Sequence, residues 1–104
     1  MAIHETSVDD LAAAREAGDV TLIDVRNPDE YAEGHIPGAH LIPLPELADR
    51  LAEVPAGRQV HVVCQSGGRS AQAAELLGQH GIDAISVNGG TKGWIASGRP
   101  TNTG

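Results

Sequence analysis

Apolar and polar positions along this chain fall into blocks that switch between two periods. Val20-Thr21-Leu22-Ile23-Asp24-Val25 and Val60-His61-Val62-Val63 are β-branched and nearly all apolar. Strands buried on both faces of a parallel sheet read this way. His40-Leu41-Ile42-Pro43 predicts a brief strand that Pro43 ends near a sheet edge. Ala84-Ile85-Ser86-Val87 predicts a last strand, and residues 2–6 a short edge strand at the start. Between these runs the spacing changes. Leu44, Leu47, Ala48, Leu51 and Val54 recur at three and four residues, predicting an amphipathic helix with Pro45 in its first turn. Ala73, Leu76, Leu77 and His80 mark one face of another helix, ended by Gly81. Ser7 with Asp10 three residues on is a capping-box-like start for a helix that runs through Leu11 and Ala12 to Gly18. Asn27-Pro28-Asp29-Glu30 starts a very short helix that Gly34 closes, and Gly89-Gly90 precedes another around Trp94. The polar tail from Gly98, with its Pro and Gly, reads as frayed. Strands separated by helices of about ten residues imply a parallel sheet with helices on both faces, an α/β fold.

Composition narrows the setting. The 104 residues suit one domain without a linker, its core spanning about 3–100. Fourteen acids against seven bases leave a net charge of −7, and Lys92 is the only lysine. Nucleic acid and anionic membrane surfaces, which need clustered cations, are therefore not the expected partners. No run approaches the ~18 apolar residues of a membrane span, and the first six residues lack the features of a signal peptide. A single cysteine, Cys64, excludes an intrachain disulfide and fits a reducing cytoplasm. His4, His40, His61 and His80 lack ligand spacing with one another or with Cys64, so no metal site is expected.

Chemistry gathers where a strand ends. Ligands of open α/β sheets sit beyond the carboxyl ends of the strands, and Cys64-Gln65-Ser66-Gly67-Gly68-Arg69-Ser70 falls there, between a strand and a helix. Gly67 and Gly68 let successive N–H groups turn inward as an anion-binding nest. The following helix adds its free N–H groups and positive dipole end, and Arg69 adds a permanent charge at the rim. All three favour a thiolate at Cys64. A buried cysteine can equally be a small hydrophobe, but the Gly-Gly-Arg-Ser that follows favours a reactive, anion-binding one.

That loop resembles the active-site loop of the rhodanese family of sulfurtransferases. Ile23-Asp24-Val25-Arg26, Glu30-Tyr31 and Gly34-His35-Ile36-Pro37-Gly38-Ala39 resemble the family's N-terminal signature. Gly89-Gly90 with Trp94, Gly98 and Pro100 resemble its C-terminal one. The resemblance implies a three-layer α/β sandwich around a mostly parallel five-stranded sheet. It also implies double displacement: Cys64 takes the outer sulfur of thiosulfate or a related donor as a persulfide, then passes it to cyanide or a thiol. Residues 65–70 would bind the donor and the terminal sulfur, with Arg69 orienting an anionic donor. No metal or organic cofactor is implied, and the partners are a small sulfur donor, its acceptor and a possible sulfur-relay protein, with a monomer as the default.

The remaining signature residues carry structural expectations. An Arg26–Glu30 pair would hold the loop to the short helix, Asp24 would support the active loop, and His35 would anchor a turn. Trp94 would sit in the core, with a further option as a pocket wall. Two other functions stay open: a binding or relay module of the same fold, and a Cys-x-Arg phosphatase or arsenate reductase. The second is disfavoured because Cys64 and Arg69 are separated by only four residues, a short cradle suited to one sulfur atom.

Overall fold

A computed structural model describes residues 3–55 and 57–104. The chain forms β1 (His4–Thr6), α1 (Val8–Ala17), β2 (Thr21–Asp24), α2 (Pro28–Glu33) and β3 (His40–Leu41). A 3-10 helix (Leu44–Glu53), β4 (Val60–Val63), α3 (Gly68–Gln79), β5 (Ala84–Val87) and α4 (Gly90–Ala96) follow. The five strands make one sheet in the order β1-β5-β4-β2-β3, and each neighbouring pair is parallel. The predicted strand at the start is β1; the Ala2 end of that expectation lies outside the described residues.

Side-chain alternation along the strands divides the interior into two layers. Ile23, Val25, Val60 and Val62 pack with Leu47 and with Ala73, Ala74 and Leu77 of α3. Leu22, Val63 and Val87 pack on the opposite face, with Leu11 of α1 and Trp94 of α4. Helices thus cover both faces, as parallel strands require. Ser7 caps α1, its hydroxyl accepting the Asp10 N–H at 3.0 Å.

The sheet order also locates a crevice. From β2 the chain moves outward to β3, whereas from β4 it moves the other way to β5. Adjacent strands whose connections leave in opposite directions open a gap at their carboxyl ends. Here β2 pairs with β4 in the register Ile23–Val62 and Asp24–Val63. The gap therefore lies between Val25-Arg26 and Cys64.

Three local expectations change. The stretch 44–53 is 3-10 rather than α, with a break at Arg50 (φ −118°, ψ 23°). Side chains three apart eclipse one another in a 3-10 helix, and such runs are short. Leu44 and Leu47 share one piece, Leu51 and Val54 border the other, and the four-residue step between Leu47 and Leu51 spans the break. Each piece therefore returns its leucines to the sheet. In α3, His80 is the exposed C-cap and Ala74 is buried beside Ala73 and Leu77 instead. The tail is held rather than frayed. The Trp94 indole N–H donates to Pro100 O at 2.8 Å, and His35 and Asn102 exchange two backbone hydrogen bonds of 2.9 Å. No helix among the described residues is long and apolar enough to cross a membrane.

Candidate active site

Alternation places Cys64, the residue after β4, in the same layer as Val60 and Val62. Its side chain is buried at 1% exposure. Burial alone would fit an inert core thiol, but the sulfur also meets polar groups. The Gly67 N–H donates to Sγ at 3.1 Å, and the thiol faces Ser70 Oγ at 3.5 Å. Gly67 makes this turn at φ +130°, a conformation that a side chain rarely adopts. Gly68, Arg69 and Ser70 form the first turn of the twelve-residue α3, whose positive end meets the sulfur.

Burial pushes the Cys64 thiol up, yet the Ser70 hydroxyl and the N–H groups of Ser70, Gly67 and Ser66 together outweigh it. The net direction is down from the ordinary value of 9.0. A thiolate here keeps hydrogen bonds that a thiol cannot fully use.

Ser70 does not stand alone. Facing the thiol, its hydroxyl donates to Gly67 O at 3.0 Å and lies 2.8 Å from Ser86 Oγ of β5; facing the thiolate, the same proton turns to Sγ. Both serines are fully buried. Ser86 was not among the expected site residues. The available signal was a hydroxyl inside a buried, otherwise apolar strand, where it needs a partner.

Behind the sulfur, the start of α4 grips the loop. Thr91 and Lys92 donate their N–H groups to Cys64 O at 2.8 Å and Gln65 O at 3.0 Å. Gly90, at φ +57°, lies so close that a Cβ there would fall 2.5 Å from Cys64 O.

The charged residues pair differently from the expectation. Arg26 is not joined to Glu30. Its Nε reaches both Asp24 carboxylate oxygens at 3.1 Å, and its Nη2 reaches Oδ2 at 2.9 Å. Asp24 is fully buried two residues away, and a buried carboxylate demands the nearest cation. Arg26 also donates to Gln65 Oε1 at 3.1 Å and Gly34 O at 2.9 Å. It thereby ties β2, the turn after α2 and the cysteine loop together, and Asp24 supports the loop through it.

Glu30 turns to Arg69 instead. Arg69 donates Nη1 to Oε1 at 2.7 Å and Nη2 to Oε2 at 2.9 Å. Those bonds, working against burial and helped by the Asn27 N–H, hold the Glu30 carboxyl at about 2.

His35 Nδ1 bonds to Tyr31 O at 2.9 Å and its ring stacks on Tyr31 at 3.7 Å, the anchoring position expected of it. Trp94 packs in the other layer, across the sheet from Cys64, so it is core rather than a pocket wall. Among the described residues, no three His, Cys, Asp or Glu side chains group to hold a metal ion. The site as a whole offers a nucleophilic sulfur in an anion-stabilising cradle.

A family model described as Rhodanese-like domain matches residues 7–97. A sulfurtransferase from Allochromatium vinosum is 40% identical over 83 residues, covering 79% of this chain and 78% of that protein. An HTH-type transcriptional regulator from Mycobacterium tuberculosis is 39% identical over 97 residues. That match covers 91% of this chain, which spans 43% of the regulator's length. Among solved structures, a rhodanese-related protein from Thermoplasma volcanium superposes with a TM-score of 0.89 at 33% identity. It covers 97% of this chain and 99% of its own.

Proposed function

As this chain belongs to the rhodanese-like domain family, we propose that it is a sulfurtransferase working through a persulfide on Cys64. The observation that carries this reading is the polar cradle around a buried sulfur, with the Gly67 N–H at 3.1 Å. In the first half-reaction the Cys64 thiolate attacks the sulfane sulfur of thiosulfate or a related donor. A bond forms between Sγ and that sulfur, the donor's sulfur–sulfur bond breaks, and sulfite leaves with the electron pair. The product, a persulfide anion, keeps the negative charge inside the nest and at the end of α3. In the second half-reaction cyanide or a thiolate attacks the terminal sulfur, and the thiolate of Cys64 leaves. Covalent catalysis of this kind needs no metal or organic cofactor.

Residues 65–70 supply the cradle: backbone N–H groups around the sulfur, the Ser70 hydroxyl, and Arg69 at the rim. Asp24, Arg26 and Gln65 keep the loop in place. The default arrangement is a single domain over 1–104 acting as a monomer in the cytoplasm, with a small donor and a thiol, cyanide or sulfur-relay protein as acceptor.

The reading has a pH signature. Because the thiol's pKa is lowered in the fold, the reactive thiolate persists below the ordinary thiol range. Its population falls only as pH drops through the lowered value. Alkylation of Cys64 by iodoacetamide, followed against pH, is expected to reach half its plateau below the midpoint of the same protein unfolded in urea. A midpoint at or above that of the unfolded thiol contradicts an activated cysteine.

A further inference from the structure

Arg69 is the one fixed cation of the cysteine loop, and its guanidinium is already engaged. Both Nη groups donate to the Glu30 carboxylate, in the two-pronged geometry that suits arginine best. Glu30 is firmly ionised, so the pair persists over any working pH. The net charge offered to an arriving anion at this rim is therefore close to zero rather than +1.

What surrounds the pair adds little for a dianion. A groove of about 290 Å³ beside the loop is lined by Arg26, Glu30, Glu33, Gly34, Gln65 and Ile95. Arg26 is committed to Asp24, while Glu33 is exposed and adds a negative charge. Ile95 is 51% exposed, the one large hydrophobic side chain so placed among the described residues. The groove next to Cys64's neighbour Gln65 thus joins Glu30, the partner of Arg69, with an acidic rim and an apolar wall. The chain's net charge of −7 opposes a doubly charged donor further.

We propose that Glu30 determines donor choice: by holding Arg69 it turns the site toward singly charged sulfane donors that carry an organic group, and away from the dianion thiosulfate. This rests on the sulfurtransferase reading above. An aryl thiosulfonate has the required chemistry. The Cys64 thiolate takes its sulfane sulfur, the sulfur–sulfur bond breaks, and an aryl sulfinate leaves with the electron pair. The overall charge is the same before and after the step, as it is with thiosulfate. The two donors differ by one unit of charge and by an apolar ring that can lie against Ile95.

Glu30→Gln separates the roles of this side chain. Glutamine keeps an oxygen for the Asn27 N–H, which Glu30 accepts at 3.0 Å, but removes the charge that holds Arg69. For charges roughly 6 Å apart in a water-like dielectric, Coulomb's law makes the removal of one negative charge favour a dianion about tenfold and a monoanion about threefold.

The experiment measures kcat and KM for thiosulfate and for benzenethiosulfonate, with cyanide as acceptor, for wild type, Glu30→Gln and Arg69→Gln. Intact mass follows persulfide on the wild type, and a thermal melt reports folding. In the wild type, kcat/KM is expected to favour benzenethiosulfonate. Glu30→Gln is expected to raise kcat/KM for thiosulfate about tenfold, mainly through KM, and to shift the donor ratio toward thiosulfate by about threefold. Arg69→Gln, which leaves Glu30 bare, is expected to move that ratio the other way. If Glu30→Gln misfolds, the Arg69→Gln ratio decides. Equal changes for both donors in the folded variants, or a wild type that prefers thiosulfate, overturn the proposal while sulfur transfer stands. If neither donor leaves sulfur on wild-type Cys64, the sulfurtransferase reading fails and takes the proposal with it.

Discussion

Cys64→Ala is expected to reduce sulfur transfer from thiosulfate to cyanide to background, a loss of at least about a thousandfold, while the domain stays folded. The two halves of this expectation have separate physical origins. Sγ is the only atom in the loop that can form the covalent intermediate, and the chain holds no second cysteine to replace it. The cradle that remains can bind an anion but cannot accept its sulfur. Stability changes little by comparison, because alanine keeps the Cβ and loses only the sulfur, a cost of about 1 kcal/mol. Ser70 retains Gly67 O and Ser86 as partners, so no buried hydroxyl is orphaned. Steady-state assays read the first half, and a thermal melt reads the second. Retained activity in a folded variant would move the chemistry away from Cys64.

Gly90→Ala is expected to damage the fold and the site together. The added Cβ would meet Cys64 O at 2.5 Å, Gln65 O at 2.6 Å and the Gln65 carbonyl carbon at 2.7 Å. These are backbone atoms, and the two oxygens already accept the N–H groups of Thr91 and Lys92, so they cannot swing aside as a flexible side chain would. The φ of +57° adds strain for any residue with a Cβ. Overpacking with backbone strain is worth about 2–4 kcal/mol. In a domain of this size that lowers Tm by roughly 10–25 °C. Relief by separating α4 from the loop shifts the Cys64 carbonyl, so activity is expected to fall as well. Gly68→Ala is the matched control: a Cβ there has nothing within 4 Å, and Gly68 is the first residue of α3. A near-native melting temperature for Gly90→Ala would show that the contact between α4 and the loop is slack.

The strands and most helices were legible because their signals are local. Two β-branched runs with no room for a solvent face could only be central strands, and β2 and β4 are two of the three interior strands, with β5 the third. Ser7, Pro28 and Gly34 marked helix ends through backbone chemistry that any reader of the chain can apply. The 3-10 helix was not legible, since Leu44, Leu47, Leu51 and Val54 fit an α-helical stripe as well as two 3-10 pieces. Only docking against the sheet decides between them. The tail differs from its expectation for a related reason: besides Trp94, six residues from Pro100, its anchor is His35, far away in sequence.

The candidate site divides the same way. The run from Cys64 to Ser70 could be assigned because loop, nest and helix start are contiguous. The ion pairs could not, because pairing depends on which carboxylate the fold brings nearest. Arg26 went to the buried Asp24, which freed Glu30 to reach across to Arg69. The parts that Ser86 and Gly90 play were not assignable from the sequence, because each acts through a contact with a distant segment.

The most direct test of a persulfide at Cys64 is intact mass after incubation with a sulfane donor, with Cys64→Ala alongside. Thiosulfate and benzenethiosulfonate should both be used, because the inferred donor choice disfavours the first. A gain of one sulfur atom is expected on the wild type alone, removed again by cyanide with release of thiocyanate. A wild type that gains no sulfur from either donor, while Cys64 still reacts with iodoacetamide, would contradict it.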